Sequence, residues 1–104
     1  MQNLGNLEET LLLLVMIMEK PYGYALAEEY KGQTGQSISI SAVHTVLMRL
    51  EKKGMITSKM EGATDERGGR RKRICTPTPY GNKVVQTLRQ HRMKLWDQIP
   101  DIAD

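Results

Sequence analysis

The stretch Ser39-Ile40-Ser41-Ala42-Val43-His44-Thr45-Val46-Leu47-Met48-Arg49-Leu50-Glu51-Lys52-Lys53-Gly54 reads as a whole helix with its start and stop signals. Ser39 and Ser41 are both able to cap it, by accepting a bond from a free backbone N–H. Val43, Val46, Leu47 and Leu50 recur at helical spacing and make one face apolar. Lys52 and Lys53 sit at the negative end of the helix dipole, and Gly54 can adopt the left-handed conformation that stops it. The other face carries Ser41, Ala42, His44, Thr45, Met48, Arg49 and Lys52, short residues first and cations last. Such a face suits a helix entering a major groove nose-first, where short side chains let the backbone approach and cations meet phosphates. An ordinary amphipathic surface helix would look similar, because polar outer faces are the norm.

The whole chain sets limits around that helix. Its 104 residues make one domain, small for a deep catalytic cleft with a supporting shell. Fifteen Lys and Arg against twelve Asp and Glu give a net charge of +3, so the placement of charge matters more than its sum. The single cysteine, Cys75, excludes an internal disulfide and fits a reducing cytoplasm. The longest apolar run, Leu11 to Met18, is far below the roughly 20 residues of a membrane span and lacks the flanks of a signal peptide. With no phenylalanine and one tryptophan, the core is built from Leu, Ile, Val and Met. Pairing with a second copy is the simplest way to enlarge it.

Residues 7–19 read as a first helix, with Glu8 and Glu9 in its first turn and an unbroken apolar run from Leu11 to Met18. A helix apolar all round must be covered all round, which assigns Leu11 and Leu14 to a partner subunit as well as to the core. Pro21 ends this helix. Pro21 to Tyr24 forms a corner, Ala25 to Thr34 a second helix with Leu26 and Tyr30 inward, and Ser37 to Ile40 alternates as a very short strand would. After Gly54 the period changes to two: Met55 to Glu61 and Lys72 to Thr78 read as two strands, with Pro77 at an edge or an end. Between them, Gly62 to Arg71 is a glycine-rich loop. Arg67, Arg70, Arg71, Lys72 and Arg73 crowd five cations into seven residues. A basic finger on a hairpin suits phosphate following or minor-groove probing, where a solvated loop would carry its arginines for solubility alone.

Thr78 and Pro79 then open a last helix, as cap and first helical residue. Val85, Leu88, Leu95 and Ile99 form a seam if Arg92 takes the intervening position, and Val84 and Trp96 widen it. Pro100 ends the helix. The order helix, helix, helix, strand, basic loop, strand, long helix is that of a winged helix-turn-helix. It predicts an α+β, mainly α fold with residues 1–78 as the winged-helix region (wing about 62–72) and 79–104 as a C-terminal dimerisation helix and tail of the same domain.

Over nearly its whole length the chain resembles the PadR-like family of winged-helix transcriptional regulators. The resemblance rests on Gly23-Tyr24, on Leu47-x-x-Leu50-Glu51-x-x-Gly54-Met55-Ile56, and on Gly68 to Lys72 leading into Thr78-x-x-Gly81. The chain departs from the family at His44, where a tyrosine is usual, and at Arg73 and Ile74, where two aromatics are usual. It is similar to the short subclass with one C-terminal helix. Some relatives sense hydrophobic compounds, which implies an effector pocket near Met16, Met93 and Trp96 at the dimer interface; Met18 is a further soft residue there.

Enzymatic chemistry has little support. No Walker loop, dinucleotide fingerprint or nucleophile elbow is present, and His44 and His91 lie on different helices without further ligands at metal-binding spacing. Arg73 beside Cys75 could lower the thiol pKa and make a redox sensor, although a strand cysteine is more often a small buried hydrophobe. The chain is therefore expected to be a cytoplasmic, homodimeric, sequence-specific DNA-binding repressor without cofactor, metal or membrane partner. Ser39, Ser41, Ala42, His44, Thr45 and Arg49 would face the major groove of a pseudo-palindromic operator, with Arg67, Arg70, Arg71 and Lys72 on the flanking DNA. Leu11, Leu14, Val85, Leu88, Leu95, Trp96 and Ile99 would serve the dimer. The alternative is a winged-helix module that binds a protein instead.

Overall fold

In the computed structural model, which describes residues 4–62 and 71–100, the elements follow the order α1 Asn6–Ile17, α2 Gly23–Thr34, α3 Ile40–Lys52, β1 Ile56–Glu61, β2 Lys72–Pro77 and α4 Pro79–Asp97. This is a mainly helical winged-helix fold, with one two-stranded antiparallel sheet as the hairpin. The expected strand at Ser37 to Ile40 does not form, and Ile40 instead opens α3. Four residues without a partner strand have no ladder to join. The second helix also starts earlier than expected, at Gly23.

The core lies where α1, α2 and α3 meet. Leu11, Leu12, Leu26, Val43 and Leu50 are fully buried there, and Met55, Ile56 and Cys75 close it from the hairpin side. Leu11 and Leu14, expected to serve a partner subunit, are taken up by the chain's own core. The apolar residues that α1 leaves outside are Leu13 and Ile17. Glu8 is the one buried charged residue among those described. Its carboxylate accepts from the Gly5 N–H at 3.0 Å and pairs with Lys53 at 3.0 and 3.1 Å, tying the start of α1 to the end of α3. The Gly5 bond first, then the Lys53 ammonium, outweigh burial and hold the Glu8 carboxyl below its usual range.

The Thr78-x-x-Gly81 motif is a joint. Thr78 caps α4 by accepting from the Gly81 N–H at 2.9 Å, while its hydroxyl donates to the Gly54 carbonyl at 2.7 Å. The Thr78 N–H in turn donates to the Met55 carbonyl at 3.0 Å. Gly54 has φ of +78°, which turns the chain from α3 into β1 and exposes that carbonyl. A Cβ on Gly81 would collide with the Met55 carbonyl, so only glycine lets α4 start this close. A further bond, from the Cys75 N–H to the Pro21 carbonyl at 2.9 Å, fastens β2 to the corner between α1 and α2.

Because the atom that Gly81→Ala would meet is backbone, the collision cannot be relieved by rotating a side chain. Alanine's better helix propensity should not offset it, and the variant should lose about 1–3 kcal/mol of stability. A thermal melt followed by circular dichroism would show a Tm lower by several degrees. An unchanged Tm would mean that α4 can lift from Met55 without cost.

Candidate nucleic-acid interface

The outward face of α3 follows from its inward one. Burying Val43, Val46, Leu47 and Leu50 leaves Ser41, His44, Thr45, Met48, Arg49 and Lys52 as one exposed stripe along the helix. Ala42 is half-buried at its border. Much of the hydroxyl chemistry at the N-terminal end is already engaged. Ser39 Oγ accepts from the Ala42 N–H at 3.1 Å as the helix cap, with Ser41 Oγ 3.4 Å away. Thr45 Oγ1 donates to the Ser41 carbonyl at 3.0 Å. Ser39 and Thr45 thus shape the end of the helix; Thr45 keeps acceptor capacity only, while the Ser39 hydroxyl still has its proton to donate. The Arg49 guanidinium is exposed and makes no hydrogen bond to a described residue, and its charge lies near enough to Glu8 to help hold that carboxyl down.

His44 leans back toward the start of α2. Its imidazole lies so close to Gly23 that a Cβ there would come within 3.2 Å of Cε1 and Nε2. His44, Met48, Glu51, Ser58, Arg73 and Cys75 line a cleft of about 390 Å³ between α3 and the hairpin. Arg73 Nη1 donates to Ser58 Oγ at 3.0 Å, and the Ser58 hydroxyl in turn donates a hydrogen bond to the Glu51 carboxylate at 3.1 Å. That relay fixes the hairpin against the last turn of α3. Lys72 is placed differently from a free phosphate ligand: its ammonium sits 4.5 Å from the centre of the Tyr22 ring. Arg71 is exposed, whereas Arg67 and Arg70 lie outside the described residues.

Cys75 does not have the surroundings of a redox sensor. Burial pushes its thiol up to about 11, Glu51 adds to the rise, and Arg73 opposes it without prevailing. The proximity of Arg73 in sequence was a true signal. Desolvation, invisible in sequence, is larger. Among the described residues no group of three His, Cys, Asp or Glu is placed to hold a metal ion, and no helix is long and apolar enough to cross a membrane.

The seam residues of α4 divide in two. Val84 is buried, and Val85 and Leu88 pack against the chain's own core. Leu95, Trp96 and Ile99 stay exposed, Trp96 at 63 %. Arg92, the polar residue between Leu88 and Leu95, turns to α1 and pairs with Glu9 at 2.6 Å. Leu13, Val85, Met93 and Trp96 wall a groove of about 360 Å³ between α1 and α4, with Glu9, Arg89, Arg92 and Asp97 at its rim. Met16 is not part of it, because it packs inward against the core. The spacing of Leu13 and Ile17 was available in the sequence, but within an unbroken apolar run nothing set those two apart.

No curated protein matches the chain in sequence. Solved structures do. A PadR-like transcription factor from Bacteroides fragilis is 18 % identical, with a TM-score of 0.76 over 93 % of this chain and 89 % of the other. A transcriptional regulator from Streptococcus is 22 % identical, with a TM-score of 0.72 over 88 % and 86 %. A PadR-like regulator from Bacillus cereus is 19 % identical, with a TM-score of 0.71 over 88 % and 84 %. At these identities the likeness is one of fold. The sequence itself supplies the rest: residues 12–87, from the buried half of α1 through the hairpin to the packed half of α4, match the transcriptional regulator PadR-like family, and the chain belongs to it.

Proposed function

We infer that this transcriptional regulator is a homodimeric, sequence-specific DNA-binding repressor of the cytoplasm. One observation carries the reading: the exposed stripe on α3 joins the hydroxyls of Ser41 and Thr45 to the cations Arg49 and Lys52, in a chain whose hairpin carries the exposed Arg71 at its loop end. On this reading Ser41, Ala42, His44, Thr45 and Arg49 approach base edges while Ser39 holds the helix nose in shape. Arg67, Arg70, Arg71 and Lys72 follow the flanking phosphates, Lys72 from its seat on Tyr22. The hydroxyls and cations that make up most of the stripe favour DNA over a protein partner, whose contact surface would be expected to gather aromatic anchors; the exposed Met48 is the exception.

The dimer is supported by what the monomer leaves open. Leu13 and Ile17 on α1 and Leu95, Trp96 and Ile99 on α4 are all exposed, and α4 has no buried residue beyond Val84. We assign residues 1–78 to the winged-helix DNA-binding region and 79–104 to the dimerisation helix and tail, with Leu13 and Ile17 of α1 adding to the dimer contact. A two-fold pair would set two α3 helices about one DNA turn apart, or a multiple of it, on a pseudo-palindromic operator. The groove between α1 and α4 supports a further element, a small hydrophobic effector held against Trp96 and Met93.

On the selected operator Arg49→Ala should cost about 1–3 kcal/mol, and less on random duplex. Arg70→Ala with Arg71→Ala should weaken both, and flatten the log–log salt slope by about 1 per lost phosphate contact. A slope that stays put would take the hairpin out of the interface.

Ile17→Glu with Leu95→Glu changes only exposed positions, so each chain should fold as before. Sedimentation should show the parent as a dimer and the variant as a folded monomer. A parent that sediments as a stable monomer at micromolar concentration would end the dimer reading.

Trp96 is the only tryptophan, so its emission reports the groove directly. A hydrophobic ligand should quench it to saturation and release DNA over the same concentration range. If a broad panel leaves both untouched, the repressor is controlled by its abundance alone.

A further inference from the structure

The outward stripe of α3 contains one residue that fits neither cation–phosphate attraction nor hydrogen bonding. Met48 is 71 % exposed, the most exposed large apolar side chain among the described residues. It stands mid-stripe, one turn on from Thr45 and one turn before Lys52. α3 has no shortage of inward positions, since Val43, Val46, Leu47 and Leu50 fill them all. Exposing a thioether chain here leaves unburied the apolar area that a core methionine would hide. A glutamine or lysine would suit solvent better and propagate the helix as well.

An apolar side chain at the centre of a face that enters the major groove meets one apolar feature there, the C5-methyl group of thymine. We propose that Met48 is a specificity-determining residue that reads a thymine methyl in each half-site, the apolar counterpart of the hydrogen-bonding Arg49 beside it. The inference rests on the DNA-binding reading above and deepens it.

Three features of the site favour this contact. Of the other methyl-bearing residues on this face, Ala42 is short and half-buried at the border, and Thr45 has its hydroxyl anchored to the Ser41 carbonyl, which restricts how far its methyl can reach. Met48 is unbranched, with three rotatable side-chain bonds and a soft sulfur, so it can settle on a methyl whose position varies slightly between half-sites. It also forms one wall of the cleft shared with His44 and Arg73. That cleft gives the side chain room to swing aside when no thymine is present, so the contact discriminates by gain rather than by clash.

The test begins with an operator selected from random duplexes on the full-length protein. Each thymine is then replaced singly by uracil, which removes the methyl and leaves every hydrogen-bonding edge intact. For the parent protein one position per half-site should lose about fourfold in affinity, the worth of one buried methyl or methylene group. The same replacement should cost Met48→Ala nothing, while Arg49→Ala should keep the fourfold loss. Circular dichroism and sedimentation of Met48→Ala should match the parent, because the position is exposed. A parent indifferent to every uracil overturns the proposal. So does a uracil effect that Met48→Ala retains, which would hand the methyl to another side chain, or an operator without thymine beneath α3. Failure of any sequence to enrich, with weak and salt-insensitive binding, would instead remove the DNA-binding reading and this proposal with it.

Discussion

The hydroxyl of Thr78 holds three elements at once. It accepts from the Gly81 N–H to begin α4 and donates to the Gly54 carbonyl to grip the turn that ends α3. The Thr78 N–H beside it takes the Met55 carbonyl, so β1 enters the same joint. Remove that oxygen and the start of α4 loses its cap, while the α3–β1 turn loses a bond that no neighbouring side chain replaces among the described residues. Such a joint works only if the backbones come very close. Gly81 permits this by having no Cβ, and Gly54 by its left-handed turn. The hairpin and the long helix therefore leave the core in directions that α3 dictates.

Around the joint, apolar surface is divided by reach. The three-helix core absorbs most of α1 and the inward face of α3, and the hairpin base seals it with Met55, Ile56 and Cys75. The same packing that makes Cys75 a buried hydrophobe deprives it of reactivity, because a thiolate there would be desolvated and would face Glu51. α4 is longer than the core it can touch. Its first half is packed, and its second half carries Leu95, Trp96 and Ile99 into solvent. The Arg92–Glu9 pair is one of the contacts that steer the exposed half along α1.

The polar side shows a comparable economy. Ser39 and Thr45 work on the backbone of α3, and Arg73 and Ser58 work on the Glu51 carboxylate. Lys72 rests on Tyr22, at the N-cap of α2. With those commitments made, the free chemistry of the α3 face narrows to Ser41, His44, Met48, Arg49 and Lys52. His44 and Arg73 meet across one cleft, which Met48, Glu51 and Cys75 also line.

Local spacing and backbone chemistry determined the four helices, the inward row of α3, the two hairpin strands and the capped start of α4, although the alternation at Ser37 to Ile40 misread the approach to α3 as a strand. Local chemistry also marked Gly54 as a stop and Thr78 as a cap, since such residues are chosen for bonds made within a few positions, whereas the need for glycine at Gly81 comes from the Met55 carbonyl that folding brings against it. Only the tertiary structure decided which sides of α1 are spent internally. Leu11 and Leu13 look alike in an unbroken apolar run, and only the directions of α2 and α3 tell them apart. The same holds for polar side chains. That Ser39 caps, that Arg92 turns to Glu9, and that Lys72 sits on an aromatic ring each depend on a partner brought near by folding. The thiol of Cys75 is the plainest case: its neighbour Arg73 is written in the sequence, but the burial that outweighs it exists only once the hairpin closes over the core.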